Sequence, residues 1–313
     1  MTKRRLGYGL LIVLALVAPY AGLYPVLLMK ILCFALFACA FNLLLGYTGL
    51  LSFGHAAFFG MAGYVAGHGI KVWGLPPEIG LLLAALAAAA LGLVFGWLAI
   101  RRAGIYFAMI TLALAQMMYF FFLQAPFTGG EDGLQDVPRG KLLGFINLAD
   151  DLNLYYFVLA IFIFGFWAIY RTVHSPFGHV LKAIRENEAR ATSLGYDVDR
   201  YKLLAFVLSA GLSGLAGATK TLVFRFATLT DAHWHQSGEV VLMTLLGGMG
   251  TSLGPVVGAG IIVTLQNELA DKVGSLVSVI IGACFVLCVL AFRRGVVGEA
   301  GALYRRITGE RRS

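Results

Sequence analysis

Apolar runs of about 20 residues follow one another almost end to end along this chain, and that succession restricts its fold more than any single motif. They occupy residues 6–23, 26–46, 50–70, 79–100, 104–123, 154–171, 203–223 and 274–292. A helix rising about 1.5 Å per residue crosses the roughly 30 Å hydrocarbon core of a bilayer with a run of this length. Every backbone amide in lipid must be paired internally, and a helix pairs them within the run itself. Between Glu239 and Leu269 two shorter apolar pieces flank Gly247–Pro255, read either as two short spans or as a re-entrant pair. The expected fold is all-α: a polytopic integral membrane helical bundle of about 8 to 10 transmembrane helices. Residues 1–313 are read as one domain. With 59% apolar and 13% charged residues, the chain leaves no soluble domain of useful size.

The amino-terminal run follows Lys3-Arg4-Arg5 and resembles a signal peptide, but no A-x-A cleavage site follows and the next run starts at Val26. It is read as a retained span. Basic residues concentrate on one side: 17 of the 24 Lys and Arg lie at residues 3–5, 101–102, 171–202 and 293–312. The opposite loop, Ala125–Asn153, holds five carboxylates against Arg139 and Lys141. The positive-inside rule therefore places both termini and the segment around residue 185 in the cytoplasm.

Several chemistries lack their parts. No folded basic face with interleaved aromatics is present, which argues against nucleic acid. Cys33, Cys39, Cys284 and Cys288 sit in apolar runs without zinc spacing, and His233 with His235 makes a poor metal site, so no metal is expected. Up to Gly130 the sole carboxylate is Glu78, which disfavours a proton relay or a sodium-coupled site. No Walker A sequence occurs and no catalytic constellation converges. Uphill transport would need ATP hydrolysed by another subunit, with no cofactor in this chain.

Polar residues inside the runs are candidates for a pathway: Ser52, His55, Thr111 and Gln116. Each also has a structural reading, as a hydrogen-bonding group between helices. Glycines recur at small-xxx-small spacing, as at Gly63/Gly67, Gly92/Gly96 and Gly250/Gly254/Gly258, which suits close helix packing in lipid. GYTGLLSFG (Gly46, Gly49, Gly54) and GGMGTSLGP (Gly247, Gly248, Gly250, Gly254) echo one another as interruptions of apolar runs, like the broken helices of transporter pathways.

SPFGHVLKAIRENEARATSLGYDV, Ser175–Val198, is a polar island of mixed charge. Ser175 and Pro176 start a helix, Gly195 stops it, and Asp199 is placed to cap the span beginning near Tyr201. Val180, Leu181, Ile184, Ala191 and Leu194 form a loose apolar stripe, with Lys182, Arg185, Glu186, Glu188 and Arg190 on other faces. Asn187 interrupts the stripe and can cap a second short helix, which favours two helices meeting at an angle. The thin apolar face and the small centre, Ala189-Arg190-Ala191, suit docking into a protein cleft better than lying on anionic lipid.

Four stretches in order, Asn42–Tyr64, Gly104–Gln116, Ser175–Val198 and Leu245–Ala259, resemble the permease subunits of ATP-binding-cassette importers for branched-chain and other hydrophobic amino acids. The resemblance implies alternating access in a bacterial inner membrane. It also implies two ATPase subunits, a second related permease, a periplasmic substrate-binding protein and surrounding membrane lipid. It makes residues 175–199 the segment that couples to the ATPase, through Arg185, Glu186, Asn187, Glu188, Ala189, Arg190, Ala191 and Gly195. Arg190 stands where a second alanine is typical. A permease for urea, short amides or another small solute is an alternative, and an ion-coupled secondary carrier is a more distant one.

Overall fold

The computed structural model describes residues 15–22, 24–142, 144–276, 279–283, 286 and 295–299. Most of the first expected span, much of the run 274–292 including Cys284 and Cys288, and both termini lie outside the described residues.

The described chain is helical almost throughout: α1 Pro25–Thr48, α2 His55–Lys71, α3 Pro77–Ala99, α4 Ile105–Gln124, α5 Asp151–Val173, α6 Pro176–Glu186, α7 Glu188–Ser193, α8 Val198–Phe224, α9 Trp234–Gly247 and α10 Gly254–Val273. Five of these, α1, α3, α4, α5 and α8, are long and apolar enough to cross a membrane. The expected run 50–70 begins as a helix only at His55, because Gly49 turns out of α1 with φ +78° and the following residues stay irregular. A small hairpin pairs Lys141–Leu142 with Ile146–Asn147 in the loop before α5.

Burial separates the centre from the periphery. In its most apolar window α1 is 67% buried, whereas α4 is 28% buried and still apolar on its exposed side, as lipid requires. α8 packs against α1, α2 and α3, while α1 also receives α5 and α10. Close approach depends on small residues. A Cβ at Gly96 would lie 2.7 Å from Leu203 of α8, and one at Gly63 2.6 Å from Thr221 Oγ1. α9 and α10 form an antiparallel hairpin in which Gly258 abuts the Met243 carbonyl and Gly247 abuts Gly254. At 14 residues α9 reaches about 21 Å, short of a full crossing.

Candidate functional site

The polar island folds as two helices. The Ser175 Oγ accepts the Gly178 amide at 3.4 Å, with Pro176 at the start of α6. Asn187 is extended, and its Oδ1 accepts the Arg190 amide at 3.0 Å, so it ends α6 and caps α7. Gly195 takes φ +87° beyond α7. The next cap is Asp197 and not Asp199: its Oδ1 accepts the Arg200 amide at 3.3 Å, so Asp199 already lies in the first turn of α8. Leu181 is buried, and Ile184 and Ala191 are buried with Val198 in a cluster against which Val180 and Tyr201 pack. Leu194 leaves the expected stripe and is 70% exposed, because α7 stops at Ser193.

Two charged residues of the island turn toward their own chain. Arg185 Nη1 donates to the Gly46 carbonyl, and its Cγ would be 3.2 Å from a Cβ on Gly49. Glu188 Oε1 lies 2.6 Å from Lys202 Nζ, whose side chain is buried at the foot of α8. Arg185 and Glu188 keep much of their surface exposed despite these bonds, and Glu186, Ala189, Arg190 and Leu194 are exposed beside them.

Arg185 sits where the two glycine interruptions meet. One runs from Gly49 to Gly54 between α1 and α2, the other from Gly248 to Leu253 between α9 and α10. Gly248 and Gly250 have φ of 115° and 76°, and a Cβ on Gly46 would come within 2.6 Å of the Gly250 nitrogen. Asn42 joins them: its Oδ1 accepts the Gly250 amide at 2.9 Å and its Nδ2 donates to the Thr251 carbonyl at 3.0 Å. A polar recess beside the junction is lined by Gly46, Tyr47, Lys182, Arg185, Glu186 and Gly250.

Amides freed by the first interruption are paired inside the protein, as irregular backbone at membrane depth must be. Ser52 Oγ accepts the Gly54 amide at 3.1 Å, Thr111 Oγ1 accepts the Phe53 amide at 3.1 Å, and Ser237 Oγ accepts the Ala56 amide at 2.9 Å. His55 opens α2 and is fully buried, with the rings of Phe41, Phe58 and Phe206 at 5.0, 5.6 and 5.9 Å. Its Nε2 meets Ser209 Oγ at 2.8 Å, while Ser209 donates its one proton to the Ala40 carbonyl at 2.6 Å. His55 Nε2 is therefore the donor. Ser52, His55 and Thr111 thus converge at the first interruption, each engaged by its own chain. Gln116 stands apart, half-buried farther along α4, with no hydrogen bond among the described residues.

Sequence reasoning passed over the cations inside the helices. Lys220 Nζ of α8 donates to both carboxylate oxygens of Asp231, at 2.9 and 2.7 Å, each residue 8% exposed, and lies over the rings of Phe224 and Phe226 at 5.5 and 4.9 Å. Lys30 of α1 and Glu239 of α9 were missed as well. A charge within an apolar run was the available signal, for Lys30 and Lys220 alike.

Residues 25–289 match the family model described as branched-chain amino acid transport system / permease component. The chain belongs to this permease family. The permease is 26% identical, over 94% of its length, to the high-affinity branched-chain amino acid transport system permease protein LivM of Escherichia coli K12, covering 75% of that protein. The same figures hold for LivM of Salmonella typhimurium LT2. Shorter matches reach the autoinducer 2 import system permease protein LsrC of Klebsiella pneumoniae, 30% identical, and the ribose import permease protein RbsC of Bacillus subtilis, 31% identical. Each covers 45% of the permease and 42% of the relative. No solved structure matches. The permease is accordingly a multi-pass inner-membrane protein and a permease subunit of an ABC-type transport system.

Proposed function

We propose that this permease imports branched-chain or other hydrophobic amino acids by alternating access, working beside a second permease. Two ATPase subunits hydrolyse the ATP, and a periplasmic binding protein delivers the solute. The observation that carries this reading is the arrangement of the 175–199 segment. Its outer face of Glu186, Ala189, Arg190 and Leu194 is free for a partner, while Arg185 on its inner face holds Gly46 at the junction of both helix interruptions. A push on α6 and α7 from an ATPase reaches the two interruptions through Arg185, with Lys182 against the Tyr47 ring beside it. Substrate class is supported by relatives matched across most of the chain, which are named for branched-chain amino acids, against ribose and autoinducer permeases matched over less than half.

Co-expression with the ATPases of its own gene neighbourhood tests the docking. Leu194→Asp and Arg190→Glu change only exposed side chains, so they are expected to lose the ATPase on purification while the permease keeps its thermal stability. Undiminished recovery of a coupled ATPase in both variants would sink the docking role. Uptake of leucine, ribose and urea by the reconstituted importer then decides the solute.

A further inference from the structure

The short loop that joins α3 to α4 carries Arg101 and Arg102, both exposed. Among the described residues neither arginine has an ion pair or a side-chain hydrogen bond. Before Glu131 the sole carboxylate of the chain is Glu78, and it stands in the first turn of α3, at the opposite end of that helix. Arg101 is held all the same: its guanidinium carbon lies 4.5 Å from the centroid of the Trp97 ring. Stacking of this kind fixes the plane of a guanidinium and leaves its N–H edge free.

α3 leads to this loop along a lipid-facing side. Ile79, Leu82, Leu86, Leu93 and Trp97 recur at helical spacing on one face, and all of them are exposed. At 23 residues α3 is about 34 Å long, enough to cross the hydrocarbon core. Trp97 lies in its last turn, so Arg101 and Arg102 emerge at the level of the cytoplasmic headgroups. The exposed side of α4 then resumes with Ile105 and Tyr106.

Acyl chains cover the exposed side of α3, so what meets the two arginines adjoins those chains. A phosphate headgroup satisfies both requirements at once. Its oxygens accept the parallel N–H groups of a guanidinium fork, and the anionic lipid of the cytoplasmic leaflet attracts basic residues placed near its surface. A zwitterionic headgroup brings its own cation to the same place and gains less. The inner end of α5 supplies a contrast, since Arg171 is exposed there with no ring stacked on it among the described residues.

We propose that Trp97, Arg101 and Arg102 form a site for an anionic phospholipid of the cytoplasmic leaflet, with its acyl chains along Leu86, Leu93 and Trp97 and its phosphate on the two guanidinium groups. The Trp97 ring aims Arg101, and Arg102 adds the second charge. Gly96, the residue before Trp97, is where α3 admits Leu203 of α8. The lipid therefore sits on the back of the helix against which α8 packs.

The complete importer, exchanged into micelles holding phosphatidylglycerol and phosphatidylcholine in equal amounts, tests the site by native mass spectrometry, which reads the lipids that stay bound. The unaltered importer is expected to hold phosphatidylglycerol in preference. Arg101→Gln with Arg102→Gln should weaken the most tightly held phosphatidylglycerol by about tenfold or more. Trp97→Leu keeps both charges and should weaken it by about threefold, the scale of a lost cation–π contact. Arg171→Gln should leave it within about twofold. Trp97→Leu keeps the measurement open if the double variant fails to assemble. Equal retention of the two lipids by the unaltered importer overturns the site, and so does an unchanged preference in either variant. An equal loss in Arg171→Gln overturns it also, since total charge and not this loop then attracts the lipid.

Discussion

Asn42 and Gly250 are separated by 208 residues and joined at 2.9 Å, the Asn42 Oδ1 accepting the Gly250 amide. The same side chain donates to the Thr251 carbonyl at 3.0 Å. One amide thus supplies the acceptor and the donor that two adjacent backbone groups need, which also fixes its orientation. The helix interruptions of the first and last parts of the described chain are in this way a single structure, and Arg185 reaches it from the coupling segment.

Replacing Asn42 should loosen that structure. Asn42→Leu leaves the half-buried Gly250 amide and Thr251 carbonyl without this partner, at a cost of about 1–3 kcal/mol in all. A lower thermal midpoint in detergent checks this, with Asn42→Asp recovering the bond to Gly250 alone. An unchanged midpoint for Asn42→Leu would show that the two interruptions hold together without it.

Arg185 is expected to transmit rather than to dock. Arg185→Ala should retain ATPase on purification yet lower uptake by about tenfold, from the loss of a charge-assisted bond to Gly46 of order 1.5–3 kcal/mol. Loss of the ATPase itself would place Arg185 in the docking contact instead.

The Lys220–Asp231 pair is nearly dry, so removing one partner strands the other. Lys220→Met should destabilise by roughly 3 kcal/mol or more, and Lys220→Met with Asp231→Leu should return most of that loss. The comparison of the single and double variants by thermal unfolding decides it. Equal losses in both would mean that the pair's geometry, more than charge balance, supports the turn after α8.

His55 is expected to act through packing. Ser209→Ala removes the acceptor of His55 Nε2 and the donor to the Ala40 carbonyl, at a cost of about 1–3 kcal/mol. Thermal stability should fall while the leucine concentration giving half-maximal uptake stays constant. A shift in that concentration would return His55 to the pathway.

Much of the architecture was readable because it is written locally. The apolar runs mark α1, α3, α4, α5 and α8, since a membrane admits little else of that length and composition. The caps of the polar island depend on side chains within three residues of the amides they satisfy, which is why Ser175, Asn187 and Gly195 read correctly. Asp199 is the expected cap and Asp197 the observed one because the two offer the same chemistry two residues apart, and only the turn after Gly195 selects between them.

By itself the sequence determined a helical membrane protein with glycine-broken helices and a bent, capped polar segment. It did not determine that Arg185 and Glu188 bond to Gly46 and Lys202, that Asn42 ties the two interruptions together, or that Lys220 meets Asp231. Those relationships were decided by tertiary packing. Helices in lipid are apolar on all sides, so hydrophobic pattern does not say which meets which; that choice lies with small-residue contacts and buried hydrogen bonds, which become visible only once the helices are in place.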